Sequence, residues 1–112
     1  MSDVDLFEIH EAFASTMIHC QKELKIDDAK LNVNGGCIAL GHPMGATGSI
    51  MMSTLVDELE RRDLATGIVA TSGAAGAGTA ILIERIKPSS DAGIINNCVK
   101  SRSSYSFSFI LS

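Results

Sequence analysis

Residues 34–48 read Asn34-Gly35-Gly36-Cys37-Ile38-Ala39-Leu40-Gly41-His42-Pro43-Met44-Gly45-Ala46-Thr47-Gly48. A short apolar run, Cys37 to Leu40, stops at a glycine-flanked bend. Pro43 blocks continuation of a helix and biases His42 towards an extended backbone. Gly41, Gly45 and Gly48 remove side chains where another backbone or a ligand must come close. Thr47 suits the N-cap of a following helix. The stretch predicts a strand-to-helix junction with one imidazole at its turn, a usual place for a catalytic side chain.

Downstream, Gly48, Met52, Leu55, Val56 and Leu59 recur at helical spacing and predict a second helix with this apolar stripe. Asp57, Glu58, Glu60, Arg61 and Arg62 fall on the opposite, solvated face, with Asp57 and Arg61 placed for an i, i+4 pair worth roughly 0.3 kcal/mol. Two β-rich runs follow, Gly67 to Thr71 and Thr79 to Ile83. Between them lies Ser72-Gly73-Ala74-Ala75-Gly76-Ala77-Gly78. So compact a connection makes the two strands antiparallel neighbours, because a parallel crossover needs more residues. Its uniformly small side chains suggest a backbone surface on which something packs. Upstream, Leu6 to Ile9 is a short apolar entry segment. Phe13, Met17, Cys20 and Leu24 then form one helical stripe that fades near Ile26 to Ala29.

The chain of 112 residues is long enough for one core, burying roughly 60–70 % of its unfolded surface. Its net charge of −4 argues against a nucleic-acid binder, which needs clustered Lys and Arg. Cys20, Cys37 and Cys98 are odd in number and lack a two-residue gap, the pattern of reduced thiols in an intracellular protein. The acidic start is not that of a secretory signal. The most apolar stretch, Ile68 to Ile83, is shorter than the ~20 residues of a membrane span and is broken by glycines, so a soluble chain is expected. After Pro88 the composition turns serine-rich. Tyr105, Phe107 and Phe109 alternate with serine at a strand-like period. This tail reads equally as disordered, as an added edge strand or as an unusual terminus.

Three residues stand out for chemistry. His42 carries an imidazole, a group able to exchange a proton near neutral pH, and so suits activating a thiol or protonating a leaving thiolate. A lone loop histidine also has a purely structural reading, against which the surrounding glycines weigh. His10, before Glu11, is placed to donate to a substrate oxygen or simply to start a helix. Ser72 directly follows a strand, but lacks the preceding glycine of a nucleophile elbow and reads equally as a small turn residue. His19 falls on the polar side of its helix. The histidines have no zinc spacing, and no metal is expected. The glycines lack the lysine of a phosphate-binding loop.

Three motifs in order, His10-Glu11-Ala12-Phe13-Ala14, the stretch 34–48 and Ser72 to Gly78, together resemble the C-terminal domain of a thiolase, an acyl-CoA acyltransferase family. The resemblance covers about residues 3 to 87 and implies a domain over 1–87, with 88–112 as a separate tail. It implies an α/β fold: one thiolase-like half, a mixed sheet with helices packed on it, incomplete relative to a full thiolase. Ketoacyl synthases share that fold, but Gly-His-Pro-x-Gly argues against them. Thiolases cleave 3-ketoacyl-CoA with coenzyme A, or condense two acyl-CoA molecules. The implied setting is fatty acid and lipid metabolism, in the cytoplasm or in an organelle such as a mitochondrion or peroxisome. Coenzyme A is then a substrate, and no cofactor is expected.

By the same resemblance, His42 is the histidine that activates a nucleophilic cysteine of the N-terminal half. His10 helps to hold the thioester oxygen through water. Gly41, Ala74 and Gly76 fall on the substrate-binding backbone, with Ala74 placed to donate an N–H. Aligning Gly76 and Gly78 puts Ser72 where the family has its second, acid/base cysteine. A serine hydroxyl lacks the accessible pKa of a thiol, so carbon–carbon chemistry is expected to be slow. Cys37 falls where a small side chain is expected, and reads as packing. None of the three cysteines sits in the nucleophile motif. The chain alone is therefore expected not to form an acyl-enzyme, and its expected partner is a thiolase N-terminal half or another copy in an oligomer. The other reading is a non-catalytic fragment or a CoA-ester binding module.

Overall fold

The computed structural model describes residues 2–86 and 104–111. Cys98 and the stretch 87–103 lie outside the described residues. The chain order is β1 (Leu6–Ile9), α1 (Ala14–Leu24), α2 (Cys37–Leu40), α3 (Thr47–Arg61), β2 (Thr66–Ser72), β3 (Gly78–Ile86) and β4 (Ser104–Leu111). The strands form one sheet in the order β1-β2-β3-β4. β1 runs parallel to β2, while β2–β3 and β3–β4 are antiparallel. The mixed sheet and the antiparallel β2–β3 pair match the sequence reading. Of the readings open for the tail, its last part adopts the edge strand, pairing Tyr105 with Arg85 and Phe109 with Ile81.

All four residues of β1 are buried, because both faces of the sheet are covered here. Side chains alternate along a strand. Leu6 therefore joins Val69 and Ile83 against Met51, Leu55 and Leu59 of α3. Phe7 and Ile9 point the other way, to Ile26 and to Met17 and Cys20 of α1. Asp5 ties the entry of β1 to the start of β2, its carboxylate accepting from the Ala65 and Thr66 amides at 2.9 Å. Tyr105 donates to Glu60 at 2.6 Å and fastens β4 to α3.

Five local expectations need correction. Cys37 to Leu40 is a short helix and not a strand. Four apolar residues carry no period that tells the two apart, and Gly36 and Gly41 bound them as caps. The bend at His42 therefore joins two helices. Thr47 is the first helical residue of α3 and not its N-cap, which is Ala46. The fully buried face of α3 is Thr47, Met51, Leu55, Glu58 and Leu59; it keeps Leu55 and Leu59 of the expected stripe, takes Thr47 and Met51 in place of Gly48 and Met52, and leaves Met52 and Val56 packing at its margin. Gly67 sets this phase: a Cβ there would come within 2.7 Å of the Leu55 side chain, so the bare backbone admits Leu55 to the core. In α1, Phe13 precedes the helix and is 72 % exposed, and none of the helical residues is fully buried.

The fifth correction concerns charge. Glu58 is 5 % exposed rather than solvated. Arg61 grips both its oxygens at 2.8 Å and Arg62 reaches one at 2.6 Å, so Arg61 pairs with Glu58 and not with Asp57. The bonds from Arg61 and Asn34 hold the Glu58 carboxyl down to about 2. A depressed folded-state value means that the unfolded chain takes up the proton first. The contribution is present above about 4.5, the unfolded value, and is lost as pH falls towards 2. Urea titrations of wild type and Glu58→Gln are expected to differ most at pH 6 and to converge near pH 2; a constant difference would count against this account.

Candidate active site

His10 follows the last residue of β1, and its amide donates to the Ala70 carbonyl at 2.8 Å, so it sits beside the end of β2. Ser72 closes β2. Both lie at the carboxyl ends of two parallel strands, the usual ligand side of such a sheet. The α2–α3 bend brings His42 to the same place, with ring centroids of His10 and His42 4.5 Å apart. A cleft of about 740 Å³ opens there, lined by His10, His42, Ser72 and Ala74 together with Phe13, Met44 and Gly48.

Of the residues singled out in the sequence, His10, His42, Ser72 and Ala74 thus converge. Gly41 and Gly76 do not line this cleft. Gly41, at φ +90°, closes α2 and borders a smaller cavity behind the bend, shared with Glu8. Burial, with help from the Glu11 and Glu58 charges, pushes the Glu8 carboxyl up to about 7. Gly76, at φ +81°, lies in the β2–β3 connection, where Gly73 N–H donates to the Ala77 carbonyl at 2.8 Å. Both positions need the left-handed backbone that glycine takes without strain.

His42 is exposed, but its ring is held. Nδ1 lies 2.7 Å from the buried Thr47 hydroxyl, which itself reaches the Pro43 carbonyl at 3.3 Å. All three groups are satisfied when Thr47 donates to Pro43 and accepts from His42 Nδ1–H. That tautomer leaves the lone pair of Nε2 free. His10 is 7 % exposed. Burial and the neighbouring His42 lower its pKa against the pull of Glu11, which favours the neutral ring. Among the described residues its Nε2 is the buried side-chain atom with no hydrogen-bond partner.

Three positioning residues carry no obvious catalytic signal in the sequence. Asn32 takes the place of a neighbouring strand: its Oδ1 accepts from Ile9 N–H at 2.8 Å, its Nδ2 donates to Ile9 O at 2.9 Å, and its own amide donates to Phe7 O at 2.8 Å. This fixes the backbone just before His10. Glu11 links Asn32 Nδ2 (3.1 Å) to the Ile38 amide (3.0 Å) and so fastens the start of α2. Gly36 makes room for it, since a Cβ there would lie 2.4 Å from the Glu11 carboxyl carbon. Thr47, buried at the base of α3, is the third. The close approach falls at Gly36 and not at Gly41, Gly45 or Gly48, where an added Cβ would meet no atom within 4 Å.

Residues 1–85 match the family model for the thiolase C-terminal domain. The chain belongs to the thiolase family. It is 48 % identical over 87 residues to the peroxisomal 3-ketoacyl CoA thiolase 1 of Petunia hybrida, covering 76 % of this chain and 19 % of that protein. It is 48 % identical over 86 residues to the acetyl-CoA acetyltransferase of Synechocystis, covering 77 % and 22 %. The crystal structure of the Bacillus anthracis acetyl-CoA acetyltransferase superposes with a TM-score of 0.72 at 45 % identity, covering 75 % of this chain and 21 % of that one. The chain spans about a fifth of the length of these relatives. Among the described residues of this thiolase domain, no helix is long and apolar enough to cross a membrane.

Proposed function

We propose that this chain provides the C-terminal catalytic half of a thiolase-like acyl-CoA acyltransferase, for thiolysis of 3-ketoacyl-CoA or condensation of acyl-CoA. The observation that carries this reading is the convergence of His10, His42, Ser72 and Ala74 on one cleft at the strand ends. In the proposed reaction His42 Nε2 takes the proton of a cysteine thiol from an N-terminal half, on a partner chain or a longer parent. The thiolate attacks the carbonyl carbon of an acyl-CoA thioester, or the 3-keto carbon in thiolysis; the carbonyl oxygen gains charge until the C–S bond to coenzyme A, or the C2–C3 bond, breaks and leaves the acyl group on the cysteine while the departing coenzyme A thiolate or acyl-CoA enolate takes up a proton. His10, through a water, and the Ala74 N–H stabilise that oxygen, each donor contributing roughly 3 kcal/mol to the transition state. Coenzyme A enters as substrate, and the chemistry asks for no cofactor. The protein would then work inside the cell, in the cytoplasm or an organelle such as a peroxisome.

A partner half also fits the surface. Met44 is 83 % exposed, and Phe13, Ile38 and Leu40 are exposed with it around the cleft and the adjoining short helix. Apolar groups gathered this way favour association. The second reading, a non-catalytic CoA-ester binding module, draws support from the resemblance, which puts Ser72 at the position of the family's acid/base cysteine; a hydroxyl does not abstract a carbon-bound proton unaided.

Co-expression with a thiolase N-terminal half, followed by a thiolysis assay, tests the two. A stable complex that turns over 3-ketoacyl-CoA supports the catalytic reading, and Ser72→Cys is then expected to raise the rate by about 10²-fold, the scale of a positioned acid/base group. A stable complex that binds CoA esters without turnover, with or without Cys at 72, supports the module.

A further inference from the structure

We propose that His10, Cys37 and His42 form a binding site for a borderline-soft metal ion, of which Zn²⁺ is the representative, with one coordination position open to the cleft. The ligand atoms of these three residues all lie within 4.8 Å of one another. They come from three separate elements: the end of β1, the first residue of α2 and the bend after it. This is why no spacing in the sequence announces the site. It would give Cys37, read from the sequence as packing, a second role, since its partly buried thiol lies near the two imidazoles.

Three features favour a metal over an idle cluster. His10 Nε2 is buried without a partner, whereas buried polar atoms in proteins almost always have one. The donor set of two imidazoles and a thiol suits Zn²⁺ and its soft neighbours, and contains no carboxylate of the kind that Mg²⁺ or Ca²⁺ requires. His42 already has the outer support typical of a ligating histidine, its Nδ1 held at 2.7 Å by Thr47, so that Nε2 remains for the ion.

Tetrahedral zinc holds nitrogen and sulfur ligands about 3.5 Å apart. The three atoms therefore close in by side-chain rotation. His10 is buried and Thr47 holds His42, so the movement falls mainly to Cys37, whose partly buried thiol has room to turn. Three protein ligands with the fourth position on the cleft is the layout of an open zinc site, where water or an external thiol completes the shell. Binding deprotonates Cys37 and engages His42 Nε2, so an ion held here would also keep that nitrogen from taking a proton. The metal site itself does not depend on the acyltransferase reading.

Titration of the full chain with Co²⁺ tests the proposal. Thiolate ligation is expected to give a sulfur-to-cobalt charge-transfer band that saturates at one ion per chain and is abolished by Zn²⁺. The double variant Cys20→Ser/Cys98→Ser is expected to keep the band and Cys37→Ser to lose it. His10→Ala and His42→Ala are each expected to weaken Co²⁺ binding by at least roughly tenfold. Circular dichroism of each variant separates loss of a ligand from loss of the fold. A band that survives in folded Cys37→Ser, or folded wild type that shows none, would overturn the site.

Discussion

Leu55→Ala is expected to lower the free energy of unfolding by about 3–5 kcal/mol, the range for a leucine removed from a well-packed core. Leu55 is 1 % exposed and lies at the centre of the cluster that joins α3 to Leu6, Val69 and Ile83. A domain of this size has roughly 5–15 kcal/mol in all, so the variant sits near the edge of folding. Gly67→Ala acts on the same contact from the other side. Its new methyl would meet the Leu55 carbons at 2.7, 2.8 and 2.9 Å, an overpacking that costs about 1–3 kcal/mol. The two changes are expected to be non-additive: in the double variant the methyl occupies space that the leucine vacated. Urea unfolding of the four proteins should show the double variant at least ~1 kcal/mol more stable than the sum of the singles. Strict additivity would mean that Gly67 is not what sets the phase of α3.

That same contact marks how far the sequence alone could be read. The antiparallel β2–β3 pair was legible because the residues between the two runs are too few for a crossover. The existence of α3 was legible from its apolar period. Its rotation was not, because the period fits two adjacent phases, and the choice depends on a glycine in a strand that α3 packs against. Glu58 looked solvated for a similar reason. Its burial needs Arg61, Arg62 and Asn34 together, and Asn34 precedes α3. At the site, His42 stood out because a histidine among glycines is conspicuous, and His10 because it opens the His10-Glu11-Ala12-Phe13 motif. Asn32 did not, since an asparagine beside Asn34-Gly35-Gly36 reads as turn chemistry. It does take a positive φ of 43°, but its amide spends its hydrogen bonds on Ile9, 23 positions away. Cys37 shows the same limit: packing against the sheet and lying near two imidazoles look identical along the chain.

For the proposed reaction, His42→Ala in the complex with an N-terminal half is expected to reduce kcat/KM for 3-ketoacyl-CoA thiolysis by about 10²–10⁴-fold, the usual contribution of a general base. The fold should barely register the change. His42 is exposed, and the Thr47 hydroxyl keeps the Pro43 carbonyl as a partner, so a stability loss within about 1 kcal/mol is expected. Thr47→Val separates chemistry from positioning. It removes the 2.7 Å contact to Nδ1 while keeping the β-branched shape, and leaves the imidazole free to rotate and to change tautomer. Its rate should fall less than that of His42→Ala, by roughly tenfold, an outer-contact effect of the size seen when an oriented histidine loses its support. The pH–rate profile tells the two apart. With Thr47→Val the limb belonging to the base persists, whereas with His42→Ala that limb disappears. Equal losses with unchanged profiles would place the base elsewhere and reduce His42 to a bystander at the cleft.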